Sequence, residues 1–374
     1  MSQAEAKLSR IREELNQAFM ERAELIDGAL CALLSANHVL IIGPPGTAKS
    51  MLAEELCQRI EGANYFQWLL TKFSTPEEVF GAVSLKGLEN DDYRRVTTGK
   101  LPEAHIAFLD EVFKSNSSIL NALLTLINER LFHNGRERVS VPLISLFGAS
   151  NELPDEEELT ALYDRFMLRF VVDYIVEDFR FLKMLQGARA PSRTRLTWAE
   201  FGELRRKVES VALPGAVLKL VTDARRELAR QELIVSDRRW RGALAVLKAH
   251  AVLAGSEEVR EDDLLFLEHL LWKDPEERPK VHDTLHRLVK GFEEQARQLL
   301  IQGQELCQDY QERQWDSGEM KNRALVELHA KLARILEKFD ALAREASESG
   351  RPVQFVEQMR AQVKELQRSM LRRL

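Results

Sequence analysis

Gly43-Pro44-Pro45-Gly46-Thr47-Ala48-Lys49-Ser50 follows the apolar run Val39-Leu40-Ile41-Ile42 and precedes a helix-patterned segment. Glycine lets a chain turn tightly, and main-chain N–H groups at a helix N-terminus can surround phosphate oxygens. Lys49 would put positive charge at the β- and γ-phosphates, and Ser50 would offer a hydroxyl to Mg²⁺. The run matches a phosphate-binding P-loop, with Ala48 where the usual spacing has its second glycine. A second apolar run, Ile106-Ala107-Phe108-Leu109, ends in Asp110-Glu111. At the carboxyl end of a strand, Asp110 could hold the water shell of Mg²⁺ and Glu111 could polarise an attacking water.

These groups need a scaffold that brings distant strand ends together. Short apolar runs at 39–42, 65–70, 106–109, 143–147 and 170–172 read as buried strands. Helical patterns at 8–34, 49–60, 116–130 and 156–168 separate several of them. Strands alternating with helices predict an α/β core with a mostly parallel sheet, here residues 1–175. Strand signals then stop, and prolines punctuate a helical domain at 176–275. Residues 276–374 carry heptad-like seams. Leu325, Leu328, Leu332, Ile335, Phe339 and Leu342 form one, Val356 to Met370 another, and Val281, Leu285, Leu288 and Phe292 begin a third. Turns at Ser317-Gly318 and Ser349-Gly350-Arg351-Pro352 divide them, so a helical hairpin or three-helix extension is expected.

Composition removes whole classes. The 374 residues are 45% hydrophobic, enough to bury a large core. No run is apolar enough to span a membrane, and the first thirty residues are acid-rich without the apolar centre of a signal peptide. The net charge of −6 opposes nonspecific DNA binding as the main task. Cys31, Cys57 and Cys307 fit neither a disulfide framework nor a zinc site, and they suit a reducing cytoplasm. His282 and His286 stand four apart on a helix without a visible third ligand, so an exposed helix face explains them. The run Asp155-Glu156-Glu157-Glu158 reads as a helix N-terminus, where negative charge is favourable.

Further segments carry a resemblance over residues 8–275. They are Gly43 to Ser50, Thr71 to Gly81, Leu109-Asp110-Glu111, Ile127 to Arg130, Ala149 to Pro154, Ala161 to Phe166 and Val235 to Trp240. Matching in this order, the sequence resembles an AAA+ ATPase of the MoxR family, close to the RavA type, in which the Ala48 form of the P-loop also occurs. The resemblance implies an AAA+ αβα core, an all-helical lid and ATP with Mg²⁺. It implies a homo-hexameric ring with nucleotide between subunits. By its motifs, Asn151 matches the sensor-1 position, which orients the attacking water. Arg165 resembles the arginine finger that reaches a neighbouring subunit's γ-phosphate, with Arg169 as rival. Arg238 resembles sensor 2, which ties the lid to the nucleotide, with Arg239 as rival. Lys49, Ser50, Asp110, Glu111 and Asn151 would act in cis and Arg165 in trans.

Two insertions also resemble the family. Residues 85–102 read as a hairpin with polar turns, like an insertion within helix 2. Phe132-His133-Asn134-Gly135-Arg136 contains an Asn-Gly hairpin turn, like the one that precedes sensor 1. The implied work is chaperone-like remodelling, activation or metal insertion in a partner complex, beside a separate von Willebrand factor A protein and an unidentified client. Residues 280–374 are too short for the β-rich insertion of RavA, so partners that depend on it are not implied. The alternative is a nucleic-acid motor, with Arg94, Arg95 and Lys100 lining a pore. A nucleotide-gated scaffold without turnover would need neither Glu111 nor Arg165.

Overall fold

Five short apolar runs pair as one sheet in the computed structural model, which describes residues 2–154, 157–185, 193–312, 318–348 and 352–371. The strands are β1 (Val39–Ile42), β2 (Tyr65–Leu69), β3 (Ile106–Asp110), β4 (Leu131–Asn134), β5 (Glu137–Ser140), β6 (Ser145–Ser150) and β7 (Leu168–Val171). β2-β3-β6-β1-β7 form the sheet, and all its neighbours are parallel. β4 and β5 form a separate antiparallel hairpin. β1 and β6 are buried at every residue, as strands covered on both faces must be. Parallel pairing sends the chain back through helices, so all five carboxyl ends meet at one edge.

The helices of this part are α1 (Gln3–Ala18), α2 (Ala23–Ser35), α3 (Lys49–Gln58), α4 (Pro76–Phe80), α5 (Leu85–Leu88), α6 (Ser117–Glu129) and α7 (Glu157–Tyr163). After β7 come α8 (Asp178–Leu185), α9 (Trp198–Ser210), α10 (Gly215–Arg230) and α11 (Asp237–Leu253). Every regular element after β7 is helical among the described residues. The last three helices are α12 (Arg278–Glu312), α13 (Gly318–Glu348) and α14 (Gln354–Leu371).

The chain divides into two compact units, Met1–Val281 and His282–Leu374. The second has its own core, in which Leu332, Phe339 and Val363 are fully buried. Those residues lie on the predicted heptad seams. Both predicted turns fall largely outside the described residues, as do Asp155 and Glu156.

Three expectations shift. The pattern at 8–34 is two helices, because Glu21 takes a left-handed conformation (φ 56°). Its carboxylate accepts the N–H groups of Val176 (3.0 Å) and Glu177 (3.1 Å). The first insertion is closed earlier than 85–102: Ser84 donates to the Arg94 carbonyl, Val96 donates to the Ala82 carbonyl, and one helical turn, α5, lies near its tip. Residues 101–103 form a separate 3-10 turn. In α12 the seam passes a break at Gly291, whose φ is 76°.

Candidate nucleotide site

β1 runs directly into the P-loop, and the Gly43 N–H donates to the Ser150 carbonyl at 3.0 Å. A side chain at Gly43 would collide with the Val172 carbonyl, so this glycine permits close approach between the loop and the end of β7. Gly46 (φ 81°) and Ala48 (φ 63°) are left-handed, a conformation that a second glycine would adopt without strain. Thr47 Oγ1 donates to the Pro44 carbonyl at 3.0 Å and pins the turn.

Among the described residues, the main-chain N–H groups of Gly46 and Ala48 donate to no protein oxygen. Unpaired donors at a helix N-terminus suit an anion with several acceptor oxygens. Lys49 is buried and folds back over the loop, with Nζ donating to the carbonyls of Gly43 (2.6 Å) and Pro44 (3.0 Å). Burial pulls its ammonium below the usual lysine range, and the nearby carboxylates of Asp110 and Glu111 offset part of that. A phosphate would supply the counter-charge that two neutral carbonyls do not.

β3 delivers the acids. Asp110 Oδ1 accepts the Glu111 N–H at 3.1 Å. Glu111 is itself left-handed (φ 52°), which turns the chain sharply off the strand. Its Oε1 accepts from Asn151 Nδ2 at 3.1 Å, and its Oε2 lies 3.3 Å from Lys114 Nζ. Asn151 directly follows β6, which pairs with both β1 and β3. Parallel pairing therefore gathers Lys49, Ser50, Asp110, Glu111 and Asn151 at one sheet edge. Ser50 and Asp110 supply the oxygen donors that a hard divalent cation takes.

Arg165 and Arg238 lie elsewhere. Both line a cavity of about 450 Å³ with Ser35, Asn37, His38 and Asn128. Residues 35–38 lead into β1, and Arg165 precedes β7, so this cavity sits at the amino ends of the strands. A four-residue strand spans about 13 Å, and that length separates the two edges. Arg238 donates to Asn128 Oδ1 at 3.0 Å. Both arginines thus sit away from the P-loop of their own chain.

Their rivals are spent on structure. Arg169 is 1% exposed, stacks over the Tyr163 ring at 3.9 Å and donates to the carbonyls of Trp272 and Tyr163. Arg239 is 5% exposed and donates to the carbonyls of Met167, Leu270, Asp164 and Phe166. Sequence spacing could not separate these pairs, because main-chain carbonyls carry no residue signal.

The basic residues of the insertion are also engaged. Arg95 pairs with Glu77 (2.8 Å) and donates to the Gly81 carbonyl (2.8 Å). Lys100 donates to the Glu78 carbonyl (2.9 Å) over the Trp68 ring. Arg94 pairs with Asp92 at 2.6 Å. His282 and His286 lie with ring centres 4.0 Å apart. The one group of three possible metal ligands among the described residues is Glu24, Glu268 and His269. Arg278 contacts both of its carboxylates, so it reads as an ion-pair cluster.

Comparison with known proteins agrees with this fold. The family model described as "MoxR domain in the MoxR-vWA-beta-propeller ternary systems" matches residues 6–202. The chain belongs to the MoxR family. A second model, described as an AAA lid domain, matches residues 216–285. Two uncharacterized proteins of Methanocaldococcus jannaschii are similar to this MoxR chain. One is 43% identical over 79% of this chain and 78% of its own length. The other is 39% identical over 95% and 96%. Chaperone MoxR1 of Mycobacterium tuberculosis is 27% identical over 45% of this chain and 44% of its own. A putative ATPase from Cytophaga hutchinsonii has the same fold, with a TM-score of 0.61 at 15% identity over 77% of this chain and 94% of that one. The architecture is thus an AAA+ αβα core with a helical lid and a helical C-terminal part. No helix among the described residues is long and apolar enough to cross a membrane.

Proposed function

We propose that this MoxR-family protein hydrolyses ATP with Mg²⁺ and uses the motion to remodel or activate a partner protein complex. The observation that carries the reading is the gathering of unpaired P-loop N–H groups, Lys49, Asp110 and the Glu111–Asn151 pair at one sheet edge. In this reading the P-loop amides and Lys49 bind the phosphates. Ser50 and Asp110 hold Mg²⁺, which would neutralise charge on the phosphate oxygens when bound. Glu111, oriented by Asn151, accepts a proton from the attacking water. Arg165 stabilises charge on the γ-phosphate bound by the next subunit. Arg238 shares its edge with Arg165, so we assign it to the same neighbouring nucleotide.

The domains we propose are the AAA+ core at 1–175, the lid at 176–275 and the helical extension at 276–374. We propose a homo-hexameric ring of the RavA-like subgroup; the Ala48 P-loop supports the subgroup, and the separation of Arg165 from Lys49 supports assembly. The matched family description favours a separate von Willebrand factor A protein as partner. Metal insertion is one form the activation could take. Three buried free thiols suit a cytoplasmic setting. The motor reading loses support, because Arg94, Arg95 and Lys100 are all engaged within the fold.

The test is an affinity capture from the native host with Glu111→Gln held in ATP, which should keep the client-engaged state longest. We expect a von Willebrand factor A protein together with an enzyme complex. Nucleic acid that survives moderate salt, without such a protein, would overturn the remodelling reading.

A further inference from the structure

The two insertions are distant in sequence, yet one side chain joins them. Asn134, at the end of β4, accepts the Arg95 N–H at 2.6 Å and donates back to the Arg95 carbonyl at 3.1 Å. The reciprocal pair fixes which way the amide points, since the main-chain N–H requires an acceptor and the carbonyl a donor. Gly135 follows at φ 64°, and a Cβ there would lie 2.5 Å from Asp92 Oδ1 and 3.0 Å from the Tyr93 carbonyl oxygen. Arg136 adds a contact to the Asp91 carbonyl at 3.4 Å. The Asn-Gly turn therefore does two jobs. It closes the β4–β5 hairpin and seats the 82–96 insertion against it.

The joined pair is also tied to the nucleotide edge. Arg95 pairs with Glu77 on α4. The segment before α4 is anchored by the Leu70 N–H donating to the Asp110 carbonyl, and by Asn116 Nδ2 donating to the Ser74 carbonyl. Apolar Leu85, Leu88 and Tyr93 stand exposed on the insertion, while no apolar residue of comparable exposure marks the hairpin tip. We propose that the 82–96 insertion and the 131–140 hairpin respond as one body, and that Asn134 is the positioning residue that couples them. The nucleotide response rests on the ATP reading above; the coupling itself does not.

Hydrogen exchange by mass spectrometry on the full chain tests both. Without nucleotide, Asn134→Ala should speed exchange in 82–96 and in 131–140 by about tenfold, as loss of two hydrogen bonds implies, and leave α3 unchanged. Acceleration in the hairpin alone would overturn the coupling. With ADP or a slowly hydrolysed ATP analogue, the wild-type segments should change together. In Asn134→Ala the insertion should keep its response and the hairpin lose it. Separate wild-type responses would overturn the proposal. Absence of any protection at 43–50 would instead sink the ATP reading and leave the first comparison standing. Should Asn134→Ala not fold, Gly135→Ala, which spares the amide pair but crowds Asp92, should loosen the same two segments. Arg138→Ala on the exposed hairpin face should loosen neither, and equal loosening by it would count against Asn134.

Discussion

Lys49 is a buried cation whose Nζ donates to two neutral carbonyls, with the Asp110 and Glu111 carboxylates nearby offsetting only part of its burial. Removing it takes away the charge that offsets triphosphate, so Lys49→Ala should lose ATP binding by at least about a hundredfold, the scale of a buried charged hydrogen bond. Equilibrium binding of a fluorescent ATP analogue checks this, and retained affinity would remove the P-loop assignment. Glu111→Gln is the contrasting change. It keeps size and neutral hydrogen bonding to Asn151 but removes the proton acceptor, so binding should persist while turnover falls by about a hundredfold or more. Normal turnover would exclude Glu111 as base. The P-loop could be proposed from sequence as a contiguous run between a strand and a helix, whereas Asp110-Glu111 is a weak signal alone and gained weight only from its place downstream of Lys49. Asn151 was legible only through resemblance, since its partner Glu111 lies forty residues away. The choice between Arg165 and Arg169, or Arg238 and Arg239, was not legible, because burial against carbonyls arises from tertiary packing.

At the scale of elements, α1 acts as a strap. Glu5 pairs with Lys207 and Lys7 with Glu200, both on α9. Glu14 pairs with Arg59, which caps α3, the helix that starts at the P-loop. Glu14 also accepts the Thr194 N–H (3.1 Å) and hydroxyl (2.6 Å). Arg59 is 2% exposed and Glu14 is 5% exposed. Glu14→Ala would leave a buried guanidinium without its carboxylate, a loss of about 3–5 kcal/mol. Chemical denaturation should show it, and a loss below about 1 kcal/mol would mean that water or Glu55 replaces the pair. Burial raises the pKa of Glu14, but the hydrogen bonds from Thr194 and Arg59 outweigh it, and the net shift is downward. Glu5 follows the same balance through Lys207 and Ser2. A lowered folded-state pKa gives stability that is full above about pH 4.5 and is lost as pH falls through the folded values. Glu14→Gln should flatten that acid limb; an unchanged limb would exclude Glu14 as its source. None of this strap was legible. The stripe at 8–34 has helical spacing throughout, and its break at Glu21 is set by Val176 and Glu177, which no local pattern reveals.

At the scale of the whole molecule, the parallel sheet separates the two residue sets to which the proposed function gives one chemistry. Lys49, Asp110 and Glu111 stand at the carboxyl edge, and Arg165 and Arg238 at the amino edge, so under the proposed roles a single chain would not close its own site. The proposed head-to-tail ring would remove the conflict, because each interface would join one carboxyl edge to the next amino edge. Mixing inactive subunits tests this arrangement. Arg165→Ala keeps Glu111, and Glu111→Gln keeps Arg165. In randomly mixed rings at equal amounts, about a quarter of interfaces hold both intact groups, so about a quarter of wild-type turnover should return. Action in cis gives none at any ratio. The same design decides Arg238. The double variant Arg165→Ala/Arg238→Ala still has a complete carboxyl edge, and Glu111→Gln offers both arginines from one neighbour. If both arginines serve the neighbouring nucleotide, that mixture should recover the same quarter. If Arg238 instead folds back onto its own nucleotide, every subunit with an intact Glu111 lacks it, and recovery should fall well below that of the Arg165→Ala mixture.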